Sequence, residues 1–469
     1  MGEPIISVSG LRGIVGDSLT PPGAMRFACS FAAGLPSGAI VLARDGRTSG
    51  RLLADTIRGG LAAIGRDVID ADVAATPTAG VLVRQFQAAG GIMITASHNP
   101  PQYNGIKLFD GTGQVLTAEA GQAVVERYRN GVCDWVTHDK LGGVRHCTNP
   151  DDQHMRLVEQ TVASGRIQGR RYHVLLDSNH GAGSELGSML LESLGCHVTL
   201  LGGDADGRFE HPPEPTAENL AGVLNEVRHI RADIGFCQDP DADRLAIIDE
   251  NGRYLGEEYT LALCVDHVLR RAKGPVVTNC STSRMAQDIA ERYGVPFYRS
   301  AVGEANVVAA MKSHGALIGG EGNGGVIDPR VGFVRDSFVA MALVLDAMAI
   351  RELPISRLAD ELPRYEIVKT KLELAPEKLS AALKALEKHF RTATADRLDG
   401  LRLDWPDRWL LVRASNTEPI VRIIAEAPTK ADAQKLCDES AKAPPPPAAR
   451  VREPAPILQT GSLSSRARW

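Results

Sequence analysis

Ile92-Met93-Ile94-Thr95-Ala96-Ser97-His98-Asn99-Pro100-Pro101 is an apolar run that stops abruptly in a polar loop carrying one hydroxyl and one imidazole. The run follows Gly90-Gly91 and has the length and apolar content of a buried strand end, and Asn99-Pro100-Pro101 can continue neither a helix nor a central strand. Ser97 is therefore expected on a fixed loop at the C-terminal end of a strand, where open α/β sheets bind ligands. Alone, the loop reads first as a plain turn whose hydroxyl bonds nearby backbone. No Gly-x-Ser-x-Gly elbow surrounds Ser97, so it does not look like a hydrolase nucleophile.

Outward from this stretch, strands and helices alternate. Ile5 to Gly16 reads as a strand followed by a glycine-rich turn that holds Arg12, a setting suited to an anion or simply to a solvated arginine. Ala39-Ile40-Val41-Leu42-Ala43 reads as a buried strand, Arg51 to Ile64 as a helix and Asp67 to Val73 as another strand, which predicts βαβ units around a mostly parallel sheet. The same grammar restarts at Tyr172 and again at Gly274, as in a triplication without a fixed sequence period. From Tyr365 the pattern becomes that of a smaller α+β unit, with strands at 366–374 and 401–404 and an amphipathic helix at 376–389. The fold class expected is α/β, three similar mixed-sheet domains and a smaller C-terminal α+β domain around a central cleft. The expected domains span residues 1–150, 151–256, 257–364 and 365–442. The tail at 443–469 is too proline-rich and apolar-poor to pack and is expected to be disordered.

A length of 469 residues suits three or four domains, and 43% hydrophobic content supplies a core for each. A formal net charge of -5 argues against a non-specific partner for nucleic acid or for a membrane surface. The N-terminus lacks the basic and apolar segments of a signal peptide, and no later run is long and uncharged enough to span a bilayer, so a cytoplasmic location is expected. The 8 cysteines are scattered without a C-x-x-C pair and read as reduced thiols packed in the core.

Three further clusters carry chemistry. Asp239, Asp241 and Asp243 alternate at the end of an apolar strand, which projects three carboxylates to one side of an extended loop. Like charges held this close repel unless a cation sits among them, and all-oxygen ligation selects Mg2+ or Ca2+. The glycine and glutamate of a calcium-binding EF-hand loop are missing. Arg244, next to the trio, could hold a phosphate. Gly319-Gly320-Glu321-Gly322-Asn323-Gly324-Gly325 sets a carboxylate and an amide on a glycine loop, an acceptor and donor pair able to read vicinal hydroxyls. Arg413-Ala414-Ser415-Asn416-Thr417-Glu418-Pro419, followed by Arg422, gathers two arginines, two hydroxyls and an amide into a candidate anion cradle.

With these residues in place the chain resembles the α-D-phosphohexomutase superfamily of phosphoglucomutase, phosphomannomutase and phosphoglucosamine mutase. The match runs in order across roughly residues 5–430 and is carried by Thr95-Ala96-Ser97-His98-Asn99-Pro100 and Asp239-x-Asp241-x-Asp243-Arg244. The resemblance implies an isomerase that interconverts hexose 6-phosphate and hexose 1-phosphate through a phosphoserine and a bisphosphate. It implies that Ser97 carries the phosphoryl group and completes an Mg2+ shell with Asp239, Asp241 and Asp243. Arg12, His98, Lys107 and Arg244 would neighbour the transferring group, with Lys107 as a proton shuttle. Glu321 and Asn323 would bind sugar hydroxyls, while Arg413, Ser415, Asn416, Thr417 and Arg422 would hold the non-reacting phosphate. Hexose 1,6-bisphosphate is the implied activator, a phosphosugar the partner, and monomer or homodimer the expected state.

One departure stands out. Many members of the superfamily have serine and then histidine in the sugar loop, where this chain has Asn323 and Gly325. Val302-Gly303-Glu304-x-Asn306-Val307 with that loop is more similar to the archaeal-type mutases, which mix glucosamine, glucose and mannose specificities. Glucosamine 6-phosphate to glucosamine 1-phosphate is the expected reaction. The alternatives are a phosphoglucomutase/phosphomannomutase, a sugar-phosphate binder without catalysis, and a metal-dependent phosphatase.

Overall fold

The computed structural model describes residues 4–7, 10–131, 133–414 and 420–442. The opening stretch forms the strand Gly90–Ile94, buried along its whole length, with Ser97 on the loop that follows. It runs parallel to Ile40–Arg44 on one side and antiparallel to Tyr103–Asp110 on the other. Its sheet has seven strands, in spatial order Ile5–Ser7, Gly10–Ile14, Tyr103–Asp110, Gly90–Ile94, Ile40–Arg44, Val68–Val73 and Val144–His146. Three pairings are antiparallel and three parallel, so the sheet is evenly mixed and not mostly parallel. The reason lies at the N-terminus, where Ile5–Ser7 and Gly10–Ile14 close a hairpin that adds two antiparallel strands. Arg12 therefore sits within a strand, opposite Gly105, and not on a glycine-rich turn.

The helices that cover this sheet follow from local sequence. Pro21–Ala32 starts behind Thr20, whose hydroxyl accepts from the Gly23 amide, with proline in its first turn. Ala24, Phe27, Ala28 and Phe31 recur at the helical period and are buried against Leu42, Ile57 and Ile94.

The second sheet orders Tyr254–Gly256, Leu245–Asp249, Ile234–Gln238, His173–Asp177 and His197–Leu201, and the third orders Phe297–Ser300, Val276–Asn279, Ile318–Glu321 and Gly325–Ile327. Each of the three sheets contains the same four-strand unit. Two parallel strands lead to a third parallel strand, which turns into an antiparallel fourth. The link between third and fourth strand is the loop that bears Ser97 in the first unit, Asp239 to Asp243 in the second and Asn323 in the third. Triplication thus sets the three candidate loops at one equivalent position.

The fourth sheet is antiparallel throughout, with Glu366–Leu372, Val421–Ala427, Trp409–Ala414, Leu401–Asp404 and Thr394–Asp396 in order. Helix Ser337–Arg351 is almost wholly buried and joins the second and third units. Phe338 and Leu345 share one apolar cluster with Leu186, Leu190 and Ile247 of the second unit and Leu261 of the third. No described helix is long and apolar enough to cross a membrane.

Candidate active site

Ser97 is 1% exposed and its backbone lies in the left-handed region at φ 49°. For a residue with a Cβ this conformation costs about 1 kcal/mol and persists where surrounding contacts enforce it. Its Oγ donates to Asp239 Oδ2 at 2.8 Å, across the contact between the first and second units. His98 Nδ1 lies 3.3 Å from the same Oγ. The positive charge of Arg244, then burial, then Arg12 press the His98 pKa down to about 2, so the imidazole is neutral at neutral pH.

The loop Asp239 to Asp243 is seated by both neighbouring units. The Thr76 amide donates to the Asp241 carbonyl and the Thr76 hydroxyl to Asp241 Oδ2 at 2.6 Å, while the Ser337 hydroxyl donates to the Ala242 carbonyl. Ala242 is held at φ 54°, a second non-glycine residue in the left-handed region. All three aspartates are fully buried, and one carboxylate oxygen from each can be chosen so that the three lie within 4.8 Å of one another. Asp241 Oδ1 and Asp243 Oδ1 are buried and have no hydrogen-bond partner among the described residues. Two unsatisfied carboxylate oxygens in an all-oxygen pocket suit a hard divalent cation, and the triad could hold one.

Lys107 Nζ donates to Asp241 Oδ2 at 2.5 Å and to Asp243 Oδ2 at 2.7 Å. Burial pulls the ammonium pKa down, but the two aspartates outweigh it and hold Lys107 protonated. Burial and the neighbouring Asp241 and Asp243 push Asp239 well above the usual carboxylate range. Asp241 is held low, since Lys107 and the hydroxyl of Thr76 overcome its burial. Arg244 lies further out, its Nε 3.9 Å from Asp239 Oδ2 and 3.7 Å from Asp243 Oδ1. Arg12 reaches the loop of Ser97, where its Nη1 donates to Asn99 Oδ1 at 3.4 Å.

Glu321 ends its strand buried, accepting from Asn279 Nδ2 at 2.7 Å and from the Gly303 amide at 3.2 Å. Asn323 folds its side-chain oxygen back to the Gly325 amide. The third unit docks this loop on the second, because Leu245 donates its amide to the Gly324 carbonyl. A Cβ at Gly324 would lie 2.3 Å from the Leu245 carbonyl oxygen, so the close approach and φ 80° both require glycine there. Arg413 and Arg422 face each other across two strands of the fourth sheet. Arg413 Nε bonds Asp399 Oδ2 at 3.0 Å, and the same oxygen accepts from the Val302 amide beside Gly303. The arginine of the expected phosphate cradle is thus tied to the segment that also holds Glu321. Ser415, Asn416 and Thr417 lie outside the described residues, as does the tail at 443–469.

Two arginines that the sequence did not single out are central. Arg335, preceding helix Ser337–Arg351, donates to Asp243 Oδ2 at 2.6 Å and to Glu321 Oε2 at 2.8 Å, and its Nε lies 3.3 Å from Glu304 Oε2. Arg47 binds four carbonyls of the Ser97 loop. Neither belongs to a local motif. The one sequence signal for Arg335 was its place beside Asp336, which caps an unusually apolar helix.

Comparison with known proteins gives this arrangement its class. Residues 5–132, 152–252, 257–365 and 369–443 match, in turn, domains I, II, III and the C-terminal domain of phosphoglucomutase/phosphomannomutase. The chain belongs to the phosphoglucomutase/phosphomannomutase family, within the α-D-phosphohexomutase superfamily, and is a phosphohexomutase, an isomerase that moves phosphate within a sugar. It is 37% identical over 446 residues to a Thermococcus kodakarensis protein named "Phosphoglucomutase/phosphomannomutase", covering 93% of this chain and 97% of that one. It is 34% identical to a "Probable phosphoglucosamine mutase" of Pyrococcus abyssi, covering 92% and 96% of the two chains. A crystal structure of a phosphoglucomutase/phosphomannomutase family protein from Burkholderia thailandensis superposes with a TM-score of 0.79 at 28% identity, covering 93% of this chain and 97% of the other.

Proposed function

We propose that the protein interconverts glucosamine 6-phosphate and glucosamine 1-phosphate through a phosphoserine at Ser97 and a bisphosphate intermediate. The observation that carries the phosphoserine is the 2.8 Å bond between Ser97 Oγ and Asp239, inside an aspartate trio with two unsatisfied oxygens. Several relatives named "Probable phosphoglucosamine mutase", at 32–34% identity, support the amino sugar. The relative at 37% identity favours a second reading, glucose and mannose phosphates as substrates. The units are assigned to residues 1–150, 151–256, 257–364 and 365–442, and the protein to the cytoplasm.

In the first transfer a sugar hydroxyl oxygen bonds to phosphorus, the bond from phosphorus to Ser97 Oγ breaks, and the hydroxyl proton ends on Ser97 Oγ. The bisphosphate then turns over and the second transfer runs in reverse from the other end of the sugar, so Ser97 regains a phosphoryl group and the sugar oxygen regains a proton. Ser97, Asp239, Asp241 and Asp243 would hold Mg2+, which when bound supplies positive charge to the oxygens of the transferring group. Arg12, Lys107 and Arg244 add fixed positive charge there, with Lys107 also relaying the proton and His98 orienting Ser97 Oγ. Glu321 and Asn323 bind sugar hydroxyls, and Arg413, Ser415, Asn416, Thr417 and Arg422 hold the phosphate that does not react. Gly325 leaves that loop without an imidazole, which throws more of the proton relay onto Lys107.

The test is a panel of glucosamine, glucose, mannose and N-acetylglucosamine 1-phosphates assayed with Mg2+ and catalytic hexose 1,6-bisphosphate. Glucosamine 1-phosphate is expected to give the highest kcat/KM, and Ser97→Ala to abolish turnover of every member. Undiminished turnover in Ser97→Ala would sink the phosphoserine assignment. Phosphate release in step with substrate loss would make the protein a phosphatase.

A further inference from the structure

Arg47 lies in the loop between strand Ile40–Arg44 and helix Gly50–Ala63 and is 2% exposed. A guanidinium has five N–H groups, and here all five are engaged. Nη2 donates to the carbonyls of Ser97 and Asn99, both at 2.6 Å, and Nη1 to those of Pro100 and Tyr103 at 2.9 and 3.0 Å. Nε donates to Asp45 Oδ2 at 3.2 Å. That same carboxylate oxygen accepts from the Thr95 hydroxyl at 2.6 Å, and Thr95 Oγ1 accepts from the Ser97 amide at 2.8 Å. The carbonyl and the amide of Ser97 are therefore both fixed through one buried Arg47 and Asp45 pair.

The second unit closes over this pair. The ring of Phe209 lies 5.1 Å from the guanidinium carbon, and Gly207, at φ 69°, presses so closely that a Cβ there would lie 2.6 Å from Arg47 Cα.

We infer that Arg47 is the positioning residue of the phosphorylation loop, enforcing the left-handed backbone of Ser97 so that its Oγ bears on Asp239. The inference rests on the phosphoserine reading of Ser97. Arg47 acts through the backbone, since its bonds run to main-chain oxygens and to Asp45. A lysine would bring three N–H groups on a point charge and cannot gather four carbonyls with a planar fork. Displacement of a reacting group by about 1 Å can cost about 100-fold in rate.

The experiment compares full-length wild type, Arg47→Lys and Thr95→Val, each treated with glucose 1,6-bisphosphate and Mg2+. Intact mass follows the phosphoryl group, phosphorus-31 NMR reads its surroundings, steady-state kinetics separates kcat from KM, and thermal unfolding reports the folded fraction. Arg47→Lys is expected to fold and take up one phosphoryl group. Its kcat should fall about 100-fold and its KM stay within about twofold, with a shifted or broadened phosphoserine resonance. Thr95→Val, which cuts the link from Asp45 to the Ser97 amide, should show the same split to a smaller degree and keeps the test open if Arg47→Lys does not fold. A wild-type resonance and kcat in either folded variant overturns the inference, as does a kcat loss equal to the unfolded fraction. If wild type takes up no phosphoryl group, the phosphoserine reading fails and takes the inference with it; if wild type is labelled, the inference alone is at stake.

Discussion

Arg335 brings one guanidinium to carboxylates from two domains, Asp243 on one side and Glu321 and Glu304 on the other. It is the contact by which the aspartate trio and the glycine-rich loop after Glu321 share a charge. Arg335→Met would leave those carboxylates buried without it, a change that costs about 3–5 kcal/mol when a buried ion pair loses one partner. Urea unfolding should show that loss, and an unchanged midpoint would mean that solvent already compensates the acids. Glu258 behaves oppositely. Burial pushes its carboxyl up to about 8, from an unfolded value of about 4.3. Below the unfolded value both states are protonated and the group is neutral in its effect. As pH rises from there toward 8 the unfolded chain ionises first, so folding stability falls across that window. Glu258→Gln should therefore raise the melting temperature relative to wild type more at pH 8 than at pH 5. Equal gains at both values would show that the carboxyl ionises freely in the folded protein.

At the scale of elements, the candidate site residues recur on one repeated turn, between the third and fourth strand of each unit, and the turn Asp239 to Asp243 is braced by helix starts from both neighbours, Thr76 and Ser337. Helix Ser337–Arg351 begins at Asp336, whose Oδ1 accepts from the Phe338 and Val339 amides and whose Oδ2 bonds His154 Nε2 at 2.7 Å. His154 Nδ1 in turn meets the Thr78 hydroxyl at 2.9 Å, near the start of the helix that also presents Thr76 to Asp241. Asp336→Ala removes a cap worth about 1 kcal/mol and orphans a buried histidine for about 1–3 kcal/mol more. Denaturant unfolding should register the sum, and a loss confined to the cap alone would show that His154 finds water. The sequence revealed those parts of the site whose residues lie together in the chain. Thr95 to Pro100 and Asp239 to Arg244 each form a loop by themselves, so their spacing carries their geometry. Arg47 reaches Ser97 across 50 residues and Arg335 reaches Asp243 across 92, and nothing local marks either of those meetings. Arg12 was misplaced for a related reason. A glycine-rich stretch reads as a turn until the antiparallel partner at Tyr103–Asp110 is known to pair with it.

For the whole molecule, the loop Asp239 to Asp243 is a junction of three units, touched by Thr76 and Lys107 from the first and by Ser337, at Ala242, and Arg335 from the third. A cation bound there stabilises the folded chain by mass action, about 2.7 kcal/mol at 100 times its Kd. Thermal unfolding of the full chain should shift upward with Mg2+, and Asp241→Asn should abolish the shift. A midpoint that ignores Mg2+ in the wild type would argue against a metal in the trio.

The order in which the ribosome makes these groups follows from the same junction. Lys107 emerges first, the three aspartates next, and Arg335 nearly a hundred residues after them. Until that arginine is made, a nascent chain carries Asp243 without the guanidinium that binds it. A polypeptide cut short in its third unit would therefore keep the acids but lack one of the cations that let them be buried. Synthesis and completion of the site are coupled, and a half-made chain has little means of acting as a phosphoryl-transfer enzyme.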